Sequence, residues 1–483
     1  MKKTAVLLIF IIFLLSITAN EDLGPIKINP SDYTSYSARS GVSSELPDFW
    51  PENEFISNMT TLNTEWFPEE EVNGTISLIQ RHLFYDSQPN VRIHGLYIRP
   101  AALPTIAIPA MILLHGGAST YRAMIPLAYY LAETLGYGIL CLDAPGTNYT
   151  SVDGWGSTGP MDTPQFRGNV TGPLGPRGSF IYYNVIATLR GITVLHSIPE
   201  INQSLIGLGG FSQGGIATII ANGVESKYQR LKFAIDLAAA GNWNKDLFEN
   251  AGISYFYDIE WGTEKSELFL EAFDPINYAP LAYAPTLMVC GTNDEVFPLM
   301  LFKQTFEKLP EPKAFSLLPA QDHLVYQSFQ NLESVLTWCQ VIVEEEAPYA
   351  VPSIEQVEHH SNSSMTIDVY QANEPRIDEV GLIHNFGWLD SPYGWITQRQ
   401  AIQEGKTVYS WTIDTQNAEE YAFYPVVFHN GLQIFSAAPV FHSDMQKFNE
   451  SKSSELTATA LQVVIALVFI SYIAVKKRKT RPS

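Results

Sequence analysis

Ser212 is the residue of this 483-residue chain whose neighbours most favour nucleophilic chemistry. It is the centre of Gly210-Phe211-Ser212-Gln213-Gly214, between the apolar run Leu205 to Leu208 and the helix-like start Gly215-Ile216-Ala217. A chain that turns sharply from a strand into a helix exposes the hydroxyl at the turn, and the helix N-terminus favours developing negative charge. The five residues alone match by chance too often to be decisive, so the prediction depends on this context.

A serine hydroxyl is a weak nucleophile and needs a base together with a group that orients the base. After a Gly-x-Ser-x-Gly turn, the acid and the histidine follow in that order on loops after later strands. The apolar run that ends at Val289 leads into Gly291-Thr292-Asn293-Asp294-Glu295. We therefore predict Asp294 as the acid, with Glu295 as the close competitor.

His323 is the predicted general base. It follows the strand-like run Ser316 to Leu318 and a short loop, and it is the only histidine between Ser212 and the predicted domain boundary at Pro348. A histidine in such a loop is often just a polar surface residue. Its place after Ser212 and Asp294 in the expected order favours the catalytic interpretation.

A fourth group must stabilise the oxyanion of the tetrahedral intermediate. The strand-like run Met111 to Leu114 ends in His115-Gly116-Gly117, a glycine turn that can direct a backbone N–H at the intermediate. Gly117 is our predicted donor there, and the N–H of Gln213 is the second. We interpret His115 as structural.

With these residues in place, the span from about 91 to 345 resembles the α/β-hydrolases grouped around acetyl xylan esterases, dienelactone hydrolases and the catalytic domain of prolyl oligopeptidases. The resemblance implies a Ser212–Asp294–His323 triad. The segments that carry it are Leu113-Leu114-His115-Gly116-Gly117, Leu142-Asp143-Ala144-Pro145-Gly146, Gly210-Phe211-Ser212-Gln213-Gly214-Gly215 and Gly291-Thr292-Asn293-Asp294-Glu295-Val296-Phe297-Pro298.

The pattern of residues 76–347 predicts the elements that must position these groups. After two paired strands at 76–85 and 91–98, short apolar runs alternate with longer helical patterns, which indicates a doubly wound, mostly parallel α/β sheet. The strands are predicted at 110–114, 138–142, 204–208, 232–237, 286–289 and 314–318, and the helices at 121–135, 180–197, 213–222, 299–309 and 324–345. Residues 242–275 interrupt the alternation, either as an insertion over the site or as a surface excursion.

Two regions flank this hydrolase domain. Residues 21–75, rich in Pro, Ser, Asn and Glu, form an N-terminal extension in which we predict little regular structure. Residues 348–450 contain short strand patterns at 366–371, 379–384, 407–413, 422–428 and 432–436, with Asn430-Gly431 as a hairpin turn. This spacing predicts an all-β, sandwich-like domain.

The two ends of the chain predict export and a membrane anchor. Lys2 and Lys3 precede an apolar run and small residues, which is the pattern of a signal peptide over residues 1–20. An uncleaved anchor helix is the alternative there. Residues 457–475 carry no charge and are long enough to cross a ~30 Å hydrocarbon core as one helix. The basic residues of 476–483 follow, so we expect this tail in the cytoplasm and everything before the span outside it.

Composition limits the partners. The net charge of −21 argues against nucleic acid, which requires clustered Lys and Arg. Three widely spaced cysteines predict neither a disulfide framework nor a zinc site, and no metal or organic cofactor is implied. Sequons fit an exported and glycosylated chain, and they begin at Asn58, Asn73, Asn148, Asn169, Asn202, Asn362 and Asn449.

We therefore expect a membrane-anchored, extracytoplasmic serine hydrolase acting on a small or polymer-derived ester. Prolyl oligopeptidases usually place a large β-propeller before the hydrolase domain. Only about seventy residues precede the first strands here, which is too few for a propeller, so the resemblance favours a carboxylesterase-type activity. Two alternatives stay open: an exopeptidase that uses the same residues on short peptides, and a catalytically inactive binding ectodomain. The oligomeric state is not readable from the sequence.

Overall fold

A single mixed β-sheet organises most of the protein in the computed structural model. The structure describes residues 45–147, 154–243, 260–325, 329–345, 350–361, 364–386, 389, 394–415, 418 and 421–441. Among these residues, fifteen strands belong to the large sheet and three to a second, smaller sheet.

The centre of the large sheet is parallel. Its strands are buried at nearly every position because helices cover both faces, as expected for near-continuous Val, Ile and Leu runs. The order across the sheet is β6-β5-β7-β8-β9-β10. In chain order these strands are β5 Ile108–Leu114, β6 Gly138–Leu142, β7 Ile201–Phe211, β8 Phe233–Leu237, β9 Thr286–Gly291 and β10 Lys313–Leu318.

The N-terminal flank of the sheet is antiparallel. Strand β4 pairs with β6 on one side and with β3 on the other, and two short strands add to β3. They are β1 Glu65–Trp66, β2 Glu70–Asn73, β3 Ser77–Gln88 and β4 Val91–Pro100.

Eight α-helices are described, and the longer ones pack on the parallel strands. The longest of them, α4, is buried along almost its whole length. The helices are α1 Asn53–Ile56, α2 Ile125–Leu135, α3 Pro164–Arg167, α4 Phe180–His196, α5 Gln213–Val224, α6 Glu264–Phe273, α7 Leu299–Lys308 and α8 Phe329–Val343. Short 3-10 helices lie at Met59–Thr61, Tyr121–Met124, Gly175–Gly178, Pro275–Asn277 and Ala279–Leu281.

The region after residue 350 is all-β in its described part, and it forms two layers. One layer continues the large sheet beyond β10 in the order β17-β16-β13-β14, while β18 pairs with β16. The other is the three-stranded sheet β11-β12-β15. The strands are β11 Ser353–Ser361, β12 Ser364–Tyr370, β13 Glu379–Phe386, β14 Ile396–Ala401, β15 Val408–Asp414, β16 Tyr421–His429, β17 Leu432–Ser436 and β18 Val440–Phe441.

A hydrophobic core lies between these two layers. Ile367 of β12 and Trp411 of β15 pack there with Leu382 of β13 and Phe423 of β16. Each strand places alternate side chains on this face, as two packed sheets require. The packing is sandwich-like, but one of its layers is also part of the hydrolase sheet.

Buried hydrogen bonds secure the junction between β10 and β17. The carbonyl of Leu317 accepts from Tyr424 Oη at 3.1 Å and from Gln433 Nε2 at 2.7 Å, while its N–H donates to Ser436 Oγ. On α8, Ser334 Oγ donates to the carbonyl of Ile434 at 2.6 Å. The last strands therefore satisfy backbone groups of β10 that would otherwise lie at an open sheet edge.

The α/β-hydrolase prediction is confirmed, with the sheet mixed rather than mostly parallel. Every strand and helix predicted for residues 76–347 is found, with bounds that differ by a few residues. The extension was expected to be largely irregular, but its described part contains α1, β1 and β2, and Trp50 is buried. Strands β11 and β14 and helices α3 and α6 were not predicted. All three cysteines are free and buried.

Several predictions about the ends fall outside the described residues: the signal peptide 1–20, the membrane span 457–475 and the basic tail 476–483. Within the described part, none of the helices has the length and apolarity needed to cross a membrane.

The continuity of the sheet predicts that residues 348–441 cannot be removed. A chain of residues 21–347 should aggregate and show no cooperative unfolding, because β10 becomes an exposed apolar edge. A chain of residues 21–441 is the matched control and should unfold in one transition. Soluble yield and calorimetry measure both, and a soluble, fully active 21–347 fragment would contradict the expectation.

Candidate active site

Ser212 lies at the turn between β7 and α5 in a backbone conformation that few side chains adopt. Its φ is 54° and its ψ is −114°, and its N–H donates to the carbonyl of Leu237 on the next strand at 2.8 Å. Such a conformation costs ~1–3 kcal/mol and persists only where the surroundings enforce it. The turn places the side chain at the carboxyl edge of the sheet and the N-terminus of α5.

Two glycines of the pentapeptide are required by close backbone contacts. A Cβ on Gly210 would lie 2.2 Å from the carbonyl oxygen of Gly214, and a Cβ on Gly214 would lie 2.5 Å from that of Leu114. No side chain fits at either position. The start of α5 can therefore approach the end of β5, where the His115-Gly116-Gly117 turn begins.

The structure brings Ser212, His323 and Asp294 together. His323 Nε2 lies 2.8 Å from Ser212 Oγ, and His323 Nδ1 lies 2.9 Å from Asp294 Oδ2. The other carboxylate oxygen of Asp294 accepts from the N–H groups of Val296 and Phe297, both at 2.8 Å. In this arrangement Nδ1–H donates to the carboxylate, which leaves Nε2 as the acceptor of the serine proton.

Glu295, the competing acid, has a different position. Its Oε2 accepts from the backbone N–H of His323 at 3.2 Å, while the imidazole itself is bonded to Asp294. The geometry therefore favours Asp294 as the carboxylate that orients the imidazole, whereas Glu295 is hydrogen-bonded to the backbone of His323.

The electrostatic surroundings favour the protonated form of the imidazole. Burial alone would lower the pKa of His323, but the charge and hydrogen bond of Asp294, with smaller contributions from Glu295 and Asp322, outweigh burial and raise it above its ordinary value. Burial and the charge of Asp294 raise the pKa of Glu295. The site can thus stabilise an imidazolium, which is the state a general base reaches after accepting a proton.

His115 connects two of the recognised segments. Its Nε2 accepts from the N–H of Ala144 at 3.0 Å, so its Nδ1 carries the proton and donates to the carbonyl of Gly116 at 2.8 Å. Asp143 Oδ1 accepts from the N–H of Tyr121 at 2.8 Å, just beyond the glycine turn. These bonds give His115 and Asp143 a structural reason to be present, because both fix the loop that carries Gly117.

A small cavity opens at Ser212. Its volume is about 190 Å³, and Gly117, Gln213 and His323 line it together with Ser212. The remaining walls are mostly apolar, apart from Arg167, and consist of Phe211, Ile216, Val296, Phe297 and Leu324. Gly117 and Gln213, the residues predicted to supply the oxyanion donors, therefore line the same cavity as Ser212 and His323.

Sequence reasoning missed Asp162 and Arg167. Arg167 ends α3, is 4% exposed and lines the cavity, and its Nε donates to Asp162 Oδ1. A single arginine in a segment rich in Pro and Gly carries no recognisable pattern. Only the packing of the loop against the site shows where these two charges lie.

The family model for acetyl xylan esterase (AXE1) matches residues 30–341, more than half of the chain. The chain belongs to this family. It is accordingly a serine carboxylic ester hydrolase, as the sequence analysis predicted. A search of curated proteins gave no significant match.

Similar solved structures include two acetyl xylan esterases. The enzyme from Paenibacillus sp. R4 is 21% identical with a TM-score of 0.48, and the alignment covers 63% of this chain and 100% of that chain. Acetyl xylan esterase 1 from Thermoanaerobacterium sp. JW/SL YS485 is 18% identical with a TM-score of 0.45, over 62% and 95% of the two chains. These similarities are distant, and the family membership follows from the family model alone.

The charges around His323 predict the pH dependence of this esterase. The base must be neutral in the free enzyme, so a raised pKa places the acid limb of kcat/KM above the ordinary histidine value of about 6.5. Glu295→Gln removes a negative charge that favours the imidazolium, so the acid limb should move to lower pH. The pH profile of kcat/KM for a short-chain ester measures the position of the acid limb in the wild type and in Glu295→Gln.

Asp322→Asn is the matched control for Glu295→Gln. Asp322 contributes less than Glu295 to the raised pKa of His323, so the acid limb of Asp322→Asn should move less. An acid limb that stays in place or rises in Glu295→Gln would contradict the assignment.

Proposed function

We propose that this protein hydrolyses short-chain carboxylic esters through a Ser212–His323–Asp294 triad and an acyl-enzyme intermediate. The observation that carries the proposal is the continuous hydrogen-bonded chain from Ser212 Oγ through His323 to Asp294. Family membership supplies the reaction class, and the cavity at Ser212 suggests the size of the acyl group.

Each group has one role in the proposed reaction. Ser212 Oγ attacks the carbonyl carbon while His323 Nε2 takes its proton, and Asp294 stabilises the imidazolium. The N–H groups of Gly117 and Gln213 bind the oxyanion. When the tetrahedral intermediate collapses, the bond to the alcohol oxygen breaks and His323 donates the proton to it. Water then repeats the sequence on the acyl-enzyme and releases the acid.

The cavity supports a short acyl group. A volume of about 190 Å³ is below the roughly 300–1,000 Å³ of pockets that hold drug-sized ligands, so it suits an acetyl to butyryl chain better than a long one. Its apolar wall of Ile216, Phe297 and Leu324 suits the alkyl part of an acyl group.

We further propose that the catalytic region is extracytoplasmic and anchored by residues 457–475. This proposal rests on the sequence at the two ends, together with the basic tail 476–483.

Covalent labelling tests the nucleophile and its side of the membrane. A fluorophosphonate should label the folded protein at Ser212, and Ser212→Ala should abolish the adduct. A membrane-impermeant fluorophosphonate should label intact cells as fully as lysed cells. Lack of a Ser212-dependent adduct in lysates contradicts the nucleophile, whereas labelling only after lysis contradicts the topology. Ser226→Ala, just after α5 and outside the cavity, is the control and should label like the wild type.

A substrate panel tests the acyl preference. For p-nitrophenyl esters, kcat/KM should fall at least about tenfold from acetate or butyrate to octanoate, because a long chain exceeds the cavity. Ile216→Ala should improve octanoate relative to acetate by enlarging the cavity.

Ile220→Ala removes the same atoms from the same helix outside the cavity and should leave the preference unchanged. Anilides with the same acyl groups complete the panel. Faster cleavage of the anilides than of the esters would favour the exopeptidase alternative.

A further inference from the structure

A buried ion pair lies in the wall of the cavity that holds Ser212. The side chains of Arg167 and Asp162 are 5% and 16% exposed, and the guanidinium Nε donates to Asp162 Oδ1. Buried charges cost several kcal/mol unless they are paired and hydrogen-bonded, and apolar replacements are often as stable. The position of the Arg167–Asp162 pair beside Ser212 therefore suggests a role other than stabilising the fold.

The pair is hydrogen-bonded to one of the two residues that the proposed function assigns to the oxyanion hole, and it lies beside the other. Asp162 Oδ1 also accepts from Gln213 Nε2 at 2.9 Å. A Cβ placed on Gly117 would lie 3.1 Å from Gln213 Oε1, 3.4 Å from Arg167 Nη2 and 3.7 Å from Asp162 Oδ2. Three polar side chains thus converge on the backbone of Gly117, and one of them belongs to Gln213.

The fold holds this cluster firmly. Ser179 Oγ donates to the carbonyl of Arg167 at 2.6 Å and accepts from the N–H of Ile181, so it joins α3 to the N-terminus of α4. Thr163 caps α3 through the N–H of Phe166. The backbone of Arg167 is therefore anchored to a long buried helix.

We infer that Asp162 and Arg167 form a positioning pair for the oxyanion hole, an inference that rests on the proposed function. The carboxylate fixes the side chain of Gln213, and the guanidinium packs against the Gly117 turn. Together they set the distance between the two backbone donors and keep a positive charge beside the developing oxyanion. Oxyanion donors act only at hydrogen-bond distance, so a small displacement costs rate rather than binding.

Asp162→Asn and Arg167→Lys test the inference. Asn keeps an oxygen acceptor but loses the charge, and Lys keeps a charge but loses the planar fork. For each, kcat per titrated active site should fall roughly 10- to 100-fold with KM changed less than about threefold. The Ki of a trifluoromethyl ketone, whose adduct with serine carries an oxyanion, should rise by a similar factor.

A second variant tests the contact between Asp162 and Gln213 while leaving the ion pair in place. Gln213→Met retains the backbone N–H and the ion pair but removes the amide that binds Asp162, so it should lower kcat by a smaller factor. Active sites are counted by fluorophosphonate titration, so misfolded protein does not enter kcat.

Arg230→Lys is the matched control. Arg230 forms a buried pair with Glu225 at the opposite end of α5 from Ser212, roughly 18 Å along the helix. Arg230→Lys should lower Tm, as we also expect for Arg167→Lys, but it should leave kcat and the inhibitor Ki unchanged.

The outcomes separate the inference from the proposed function. Unchanged kcat and Ki per site in Asp162→Asn and Arg167→Lys overturn the inference, as does a rise in KM with kcat preserved, which would indicate direct substrate contact. Failure of the wild type to label at Ser212 or to hydrolyse esters overturns the proposed function instead.

Discussion

The close backbone approach between β5, β7 and the start of α5 is the constraint on which the site depends. Ser212 is held at a positive φ because its N–H is bound to Leu237 and because the glycines beside it allow the chain to reverse. The same approach brings the end of β5, and with it Gly117, to the serine. A wider turn would move Ser212 away from Gly117, so the proposed nucleophile and the proposed oxyanion donor could not act on the same carbonyl group.

Charge is distributed unevenly around this turn. On one side the carboxylates of Asp294, which is buried, and Glu295 favour a positive imidazole. On the other side Arg167 and Asp162 lie against the glycine turn. In the proposed reaction positive charge develops on His323 and negative charge on the substrate oxygen. The carboxylates of Asp294 and Glu295 lie on the side where the positive charge develops, and the guanidinium of Arg167 lies on the side of the proposed oxyanion donors.

The C-terminal strands are structurally part of the catalytic sheet. Because β17 pairs with β10, and His323 follows β10, the loop carrying the base is supported from a region more than a hundred residues later in the chain. The three-stranded sheet then covers the outer strands with an apolar core. The region that looks like an appended module in the sequence thus protects the edge from which the base projects.

The sequence by itself determined the α/β pattern and predicted Ser212 as the nucleophile and His323 as the base, since periodicity and the order of short segments depend on local chemistry. It left Asp294 and Glu295 as competitors, because adjacent carboxylates differ only in where the fold directs them. It did not indicate Asp162 and Arg167, whose neighbours lie about fifty residues away on α5 and in the turn after β5. The sequence pattern also predicted a domain boundary after residue 347, although the large sheet continues past it. Strand pairing is long-range, and a short apolar run does not show which strand it will pair with. The tertiary structure decided these points, since contact between distant segments is a property of packing rather than of local sequence.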